Sequence, residues 1–143
     1  MTDKNTQTKS LATAGFIGAA AFNIIGMLVV SKFLTNPLLA ETDPVVYSLM
    51  GQIAVILWGF AYLAVARSYR AVPYLLLVFC AEKIVYFGAW LLWLSTKGHT
   101  LPQIEALSPA TAGFFMTYGA GDGLFAIFFG VMFIKALRER RAN

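Results

Sequence analysis

The sequence is poor in the residues on which most soluble catalytic and metal sites depend. Its 143 residues include one cysteine, Cys80, and one histidine, His99. A lone cysteine forms neither a disulfide framework nor a redox pair, and one imidazole among scattered acids does not make a metal-ligand set. No Ser-His-Asp or Cys-His arrangement is evident in the sequence. We therefore expect no metal and no cofactor.

Charge is also scarce, at 13% of residues against 59% hydrophobic. Soluble domains are about half apolar and about a quarter charged, so this composition indicates a protein that resides in the lipid bilayer. A hydrocarbon core about 30 Å thick needs roughly 20 apolar residues per helix, so the chain supplies about four spans and no soluble catalytic domain. In a membrane protein, a net charge of +4 usually reflects the lysines and arginines of the cytoplasmic loops. We therefore predict no nucleic-acid partner.

Four apolar segments predict an all-α integral membrane protein with four transmembrane helices in an up-down-up-down bundle. The bundle forms a single domain over residues 1–143, with spans at 11–31, 44–66, 72–95 and 109–134. Residues 1–10 are polar and lack periodicity, which predicts a flexible tail. A signal peptide is the alternative for the first span, but the apolar run is long and no clear cleavage site follows it.

Prolines mark where the later helices begin. Asp43-Pro44 and Ser108-Pro109 each combine a capping side chain with a proline at the first helical position, which predicts the starts of the second and fourth spans. Pro73 is tolerated in the first turn of the third span. The segments 31–43 and 97–107 are predicted to be loops.

The distribution of basic residues predicts the orientation in the membrane. Only Lys32 and Lys97 fall in the two loops assigned to the outside. The residues that fall on the cytoplasmic side are Lys4, Lys9, Arg67, Arg70, Lys135, Arg138, Arg140 and Arg141. This bias predicts a bacterial-type inner membrane protein with both termini in the cytoplasm.

Polar residues at one depth form the main candidate site. Glu82 and Lys83 lie about 15 to 18 Å along the third span, and Asp122 lies about 20 Å along the fourth from its outer side. Asn23 reaches a similar depth, and Gln52 is somewhat shallower. Because a charge at mid-membrane costs at least about 2.5 to 3.5 kcal/mol, we predict that Lys83 pairs with Asp122.

Glu82 points about 100° away from Lys83 around the helix, so one partner cannot serve both equally. Glu82 is expected to share Lys83, to accept a hydrogen bond from Asn23 or Gln52, or to be protonated. Tyr86 lies three and four residues after the pair, and Tyr118 lies four before Asp122, so either phenol can join the network.

Small residues recur at helical spacing in the first and fourth spans. This pattern lets membrane helices approach closely, and the predicted packing residues are Gly15, Ala19, Gly26, Gly119 and Gly123. The glycines near Asp122 do not form a phosphate-binding loop, which would need a preceding strand and a following lysine. A locally unwound helix near Asp122 is the alternative.

Single residues over 45–137 carry a resemblance to small, uncharacterised four-helix bacterial membrane proteins, some of them called DoxX-like. The matching residues are Gly51, Gly59, Tyr62, Arg67, Lys83, Gly121, Asp122, Leu124 and Phe125. The resemblance implies the four-helix architecture and no particular activity. Glu82 has no counterpart in the pattern.

Three functions are compatible with this cluster. The preferred one is a non-enzymatic protein of the lipid bilayer whose polar cluster binds a small amphipathic ligand. In the other form of this function, the cluster locks the helix bundle of an accessory subunit, which belongs to a homo-oligomer or larger membrane complex. The second is a proton-coupled transporter or channel component in which Glu82 or Asp122 carries the proton. The third is a membrane enzyme on a lipid-like substrate, with Glu82, Lys83 and Asp122 as acid-base groups. A fourth alternative is that the polar cluster is purely structural and only fixes how the four helices pack.

Overall fold

Six α-helices account for most of the chain in a computed structural model, which describes residues 2–142 and the side chains of Gln7 and residues 10–141. The helices are α1 Thr2–Val30, α2 Pro37–Thr42, α3 Leu49–Val65, α4 Pro73–Lys97, α5 Leu101–Leu107 and α6 Pro109–Ala142. Short 3₁₀ turns, Tyr69–Ala71 and Gly98–Thr100, precede α4 and α5. No strand occurs among residues 2–142, so the all-α prediction is confirmed.

Three segments are long and apolar enough to cross a membrane: Ser10–Val30, Pro73–Leu107 and Pro109–Arg141. The apolar helix α3 is shorter, at 17 residues. The protein is therefore a helical membrane protein, as its composition predicts.

Helices α1 and α3 run antiparallel. Thr13 donates a hydrogen bond to the Ala66 carbonyl at 3.2 Å, and Asn23 donates one to the Val55 carbonyl at 3.1 Å. Residue numbers therefore rise along α1 while they fall along α3.

Helices α4 and α6 are antiparallel by the same criterion. The rings of Phe79 and Phe129 lie 5.4 Å apart, and the Trp90 indole donates to the Phe115 carbonyl at 2.8 Å. Helix α6 also contacts α1, where the ring centroids of Phe16 and Phe129 are 5.5 Å apart. The long helices thus pack as a bundle.

Two apolar clusters fill the bundle. The cluster toward the chain termini includes Phe16, Tyr62, Phe79 and Phe129. The cluster at the opposite end includes Leu39, Tyr47, Trp93, Ile104 and Phe115. Between them lies a layer of buried polar side chains, so the fold places the candidate site at the middle of the bundle.

Two of the three proline-marked helix starts are confirmed, since α4 begins at Pro73 and α6 at Pro109. The predicted start at Pro44 is wrong, because α3 begins at Leu49. Asp43 caps a separate turn instead, and Ser48 caps the helix by accepting from the backbone N–H of Gly51 at 3.2 Å.

The predicted loops 31–43 and 97–107 are partly helical, because they contain α2 and α5. Each of these short helices buries one large apolar side chain against the bundle, Leu39 in α2 and Ile104 in α5. Together they cover the end of the bundle away from the termini.

The predicted flexible tail is also wrong over residues 2–10, where α1 is already helical. This segment lacks glycine and proline, so nothing in it interrupts helix propagation. The structure does not describe Met1 or the side chains of Lys4 and Lys9. The predicted cytoplasmic position of Lys4 and Lys9 therefore lies outside the described residues.

The turn after α1 places three consecutive non-glycine residues in the left-handed region. Lys32, Phe33 and Leu34 have φ angles of 50°, 57° and 68°. The buried Ser31 hydroxyl holds the turn by accepting from the N–H of Leu34 at 2.9 Å. The Asn36 amide also donates to the Val30 carbonyl at 3.0 Å. Local hydrogen bonds between side chains and the backbone therefore maintain a costly backbone conformation.

We expect Lys32→Gly to stabilise the protein by about 0.5 to 1 kcal/mol relative to Lys32→Ala. An L residue other than glycine pays about 1 to 2 kcal/mol to adopt the left-handed conformation, and glycine avoids this cost. The larger entropy of glycine in the unfolded chain offsets part of that gain. Both variants remove the same charge from an exposed position. Thermal unfolding in detergent measures the difference, and equal melting temperatures would contradict the proposed strain.

Candidate functional site

Four buried polar residues form a layer across the bundle, which we call the midplane layer: Asn23, Glu82, Lys83 and Asp122. Their relative exposures are 2%, 9%, 1% and 4%. They come from α1, α4 and α6, and the fixed rise of an α-helix places them at one level. Ionised groups buried this deeply are stable only with partners.

Lys83 is the centre of the midplane layer. Its ammonium donates to Asp122 Oδ1 at 2.6 Å and to Asn23 Oδ1 at 2.8 Å. The predicted pairing of Lys83 with Asp122 is therefore present. The Asn23 side-chain amide donates in turn to the Val55 carbonyl, so the network extends to α3. Charge-assisted bonds of this length are the strong class of hydrogen bond.

Glu82 takes a different partner. Its Oε2 accepts a 2.5 Å hydrogen bond from the Tyr62 hydroxyl of α3, and its Oε1 lies 4.0 Å from Lys83 Nζ. Glu82 thus faces α3, in a direction different from that of Lys83. Sequence reasoning did not assign Tyr62 to the site. The available signal was a phenol inside an apolar span, since a buried tyrosine hydroxyl needs a hydrogen-bond partner.

A cavity of about 100 Å³ adjoins the midplane layer. Its walls contain all four layer residues together with aromatic and small side chains, namely Phe22, Gly26, Met27, Tyr47, Val55, Tyr86, Phe114, Thr117 and Tyr118. Tyr86 and Tyr118, predicted members of the network, thus form cavity wall. Within the described part of the chain, neither phenol hydrogen bonds to the layer.

Tyr118 has an unpaired hydroxyl. The side chain is 3% exposed, and its oxygen has no hydrogen-bond partner among the described residues. Its ring stacks on Phe114 at 5.0 Å and meets the Tyr47 ring edge-on at 5.2 Å. Because buried hydroxyls in folded proteins are almost always satisfied, this oxygen is expected to find a partner in the neighbouring Tyr47 hydroxyl, in water or in a ligand of the cavity.

The cavity meets the bundle surface between α1 and α6. Its exposed lining residues are Phe22 and Gly26 of α1 and Thr117 of α6. We call this gap the α1–α6 opening. A Cβ atom at Gly26 would meet nothing within 4 Å, so the predicted role of Gly26 in close helix packing is wrong.

The other small residues of the first and fourth spans are packed. Ala19 is fully buried, and the Gly15, Gly119 and Gly123 positions each lie under an aromatic ring of a neighbouring helix. The rings above these glycines are Phe128, Trp90 and Phe87, respectively. The glycines therefore admit large side chains between helices.

Gln52 is not brought into the midplane layer. Its amide donates to the Tyr47 carbonyl at 2.8 Å, and its Oε1 is buried with no partner among the described residues. Gln52 lies in the first turn of α3, close to the preceding turn of the backbone. It supports the segment that carries Tyr47 to the cavity wall.

Comparison of the chain with protein-family models, with curated proteins and with solved structures gives no match. The protein is a helical membrane protein with a buried layer of charged groups and an adjoining cavity. The resemblance to DoxX-like proteins stays a prediction.

Proposed function

We propose that α3 is a fourth membrane span and that α1, α3, α4 and α6 form an up-down-up-down bundle in a bacterial-type inner membrane. The antiparallel contacts support this arrangement. Helix α3 extends about 25 Å at 1.5 Å per residue, and the turn before it adds to its length. The lysine and arginine distribution supports cytoplasmic termini.

We propose that the protein is a non-enzymatic membrane protein that binds a small amphipathic ligand at the midplane layer. The observation that carries this proposal is the cavity, which joins buried charged groups to the α1–α6 opening. A clasp that only fixes helix packing needs neither an open space nor an unpaired hydroxyl beside it. A ligand that fills the cavity supplies the missing partner.

The cavity limits the size of the ligand. Its volume of about 100 Å³ is below the roughly 150 Å³ of an apolar cavity that accepts benzene, and below the 300 to 1,000 Å³ of drug-sized sites. The site thus takes a head group smaller than a benzene ring, roughly four heavy atoms by the same ratio of volumes. The rest of a longer ligand extends through the α1–α6 opening into the lipid.

A tryptophan at Gly26 is expected to abolish ligand binding, because its side chain covers the α1–α6 opening. The matched control is Gly18→Trp, since Gly18 is on the same helix, is exposed and also has nothing within 4 Å of an added Cβ. Benzyl alcohol, benzoate and benzylamine serve as probes, and the thermal shift of purified protein in detergent is the measurement. A ligand at 100 times its Kd stabilises by about 2.7 kcal/mol.

The expected pattern is stabilisation of wild type and Gly18→Trp by at least one probe, with no shift in Gly26→Trp. If none of the three probes stabilises the wild-type protein, the ligand-binding proposal fails. Equal shifts in both tryptophan variants would show that the ligand does not pass between α1 and α6.

A second candidate function is proton-coupled transport with Glu82 as the carrier. Glu82 lines the cavity, and its distance of 4.0 Å from Lys83 lets it change protonation while the bond between Lys83 and Asp122 stays intact. Because four helices rarely enclose a transport path, this function requires a homo-oligomer or larger complex. A proteoliposome flux that survives both Glu82→Gln and Asp122→Asn would remove it.

A further inference from the structure

The midplane layer has an excess of negative formal charge. It contains two carboxylates, Glu82 and Asp122, and one ammonium, Lys83. No other residue with a formal charge lines the cavity among the described side chains. A buried net charge is unfavourable in a medium of low dielectric constant, so the layer is neutralised either by a proton on Glu82 or by a bound positive charge, and an organic cation competes with that proton.

Lys83 does not balance both acids equally. Its ammonium is directly hydrogen bonded to Asp122 and Asn23, whereas Glu82 Oε1 is 4.0 Å away. Glu82 accepts its close hydrogen bond from the neutral Tyr62. The carboxylate of Glu82 therefore lines the cavity without a cation in direct hydrogen-bond contact.

Another part of the cavity wall is aromatic. The rings of Tyr47, Phe114 and Tyr118 pack against one another, with centroids 5.0 to 5.2 Å apart. Ring faces attract organic cations through their quadrupoles. The unpaired hydroxyl of Tyr118 supplies an oxygen that can accept an N–H bond in the same cavity.

We infer that the ligand of this cavity is a small organic ammonium, attracted by the excess carboxylate charge and packed against the aromatic wall. This inference rests on the proposed ligand-binding function and names the chemical class. A carboxylate of equal size is repelled by Glu82 and Asp122. A neutral alcohol of equal size gains the aromatic contacts without the charge attraction.

The test compares benzylamine, benzyl alcohol and benzoate, which share one ring and differ in charge at neutral pH. Binding to purified protein in detergent is measured by calorimetry and by thermal shift. We expect benzylammonium to bind about tenfold or more tightly than benzyl alcohol, and benzoate not to bind.

Glu82→Gln tests the source of the preference. Glutamine has nearly the same size and can still accept the Tyr62 hydrogen bond, but it removes the excess negative charge. The variant is expected to lose the preference for benzylammonium and to retain benzyl alcohol binding. The control is Glu139→Gln, which removes a carboxylate that pairs with Arg70 outside the cavity, and it is expected to leave the preference unchanged.

Two results overturn the inference and leave the ligand-binding function intact. In the first, the wild-type protein binds benzyl alcohol as tightly as benzylammonium. This result does not depend on the folding of any variant. The other is an unchanged ammonium preference in Glu82→Gln. Failure of all three probes overturns the function and the inference together.

Discussion

Lys83→Met is expected to lower the free energy of unfolding by about 3 to 5 kcal/mol, the loss typical of a broken buried ion pair. The variant leaves Asp122 buried, without the ammonium that lies 2.6 Å away in the wild-type protein. It also removes the donor to Asn23. Thermal unfolding in detergent and the yield of folded protein measure the effect.

The double variant Lys83→Met with Asp122→Leu is expected to recover much of this loss, because neither charge then remains buried. Arg70→Met is the matched control. It breaks the partly exposed pair of Arg70 and Glu139, whose side chains are 31% and 46% exposed, and should cost at most about 1 kcal/mol. If the double variant is no more stable than Lys83→Met, the energetic coupling between Lys83 and Asp122 is refuted.

Gly51→Ala is expected to destabilise the protein by about 1 to 3 kcal/mol, the usual cost of an overpacked site. A Cβ at this position would overlap the Val46 carbonyl, with its carbon at 2.9 Å, and a backbone group cannot move as freely as the end of a side chain. Alanine normally stabilises a helix relative to glycine, so the expected sign is the reverse of the intrinsic preference. Thermal unfolding measures the change.

Gly88→Ala in α4 gives the comparison for Gly51. Gly88 is exposed and an added Cβ there meets nothing within 4 Å, so the intrinsic preference should appear as a gain of up to about 1 kcal/mol. A similar gain in both variants would show that the turn before α3 adapts easily. If the turn is rigid, the added methyl group also displaces Tyr47, which follows Val46 and lines the cavity. Gly51→Ala should then bind the probes more weakly.

Depth along a helix could be predicted from the sequence. The rise per residue is fixed, so counting places Asn23, Lys83 and Asp122 at one level, and the structure joins them by hydrogen bonds. Rotation about the helix was harder to use. The sequence predicted that Glu82 points away from Lys83. The hydrogen-bond donor to Glu82 is Tyr62 and not Asn23 or Gln52, and identifying Tyr62 required knowing which helix packs on that side.

The cavity and the short helices α2 and α5 could not be predicted from periodicity. Segments of six and seven residues are too short to show an amphipathic pattern, and they are stabilised by the tertiary burial of Leu39 and Ile104. Periodicity shows which helix faces are apolar, but it does not show where side chains fail to fill the space between helices. The pattern of small residues that predicted contact at Gly26 does not distinguish a glycine under a ring from one beside an open space.

The midplane layer also sets an order for assembly during synthesis. Asn23 is made first, Lys83 follows, and Asp122 arrives only with the last helix. Until α6 is synthesised, the ammonium of Lys83 has the Asn23 carbonyl oxygen but lacks its carboxylate on α6. A nascent chain that ends after α5 therefore has only the longer, 4.0 Å pairing of Lys83 with Glu82. The last helix both completes the bundle and supplies the direct ion pair of Lys83 with Asp122.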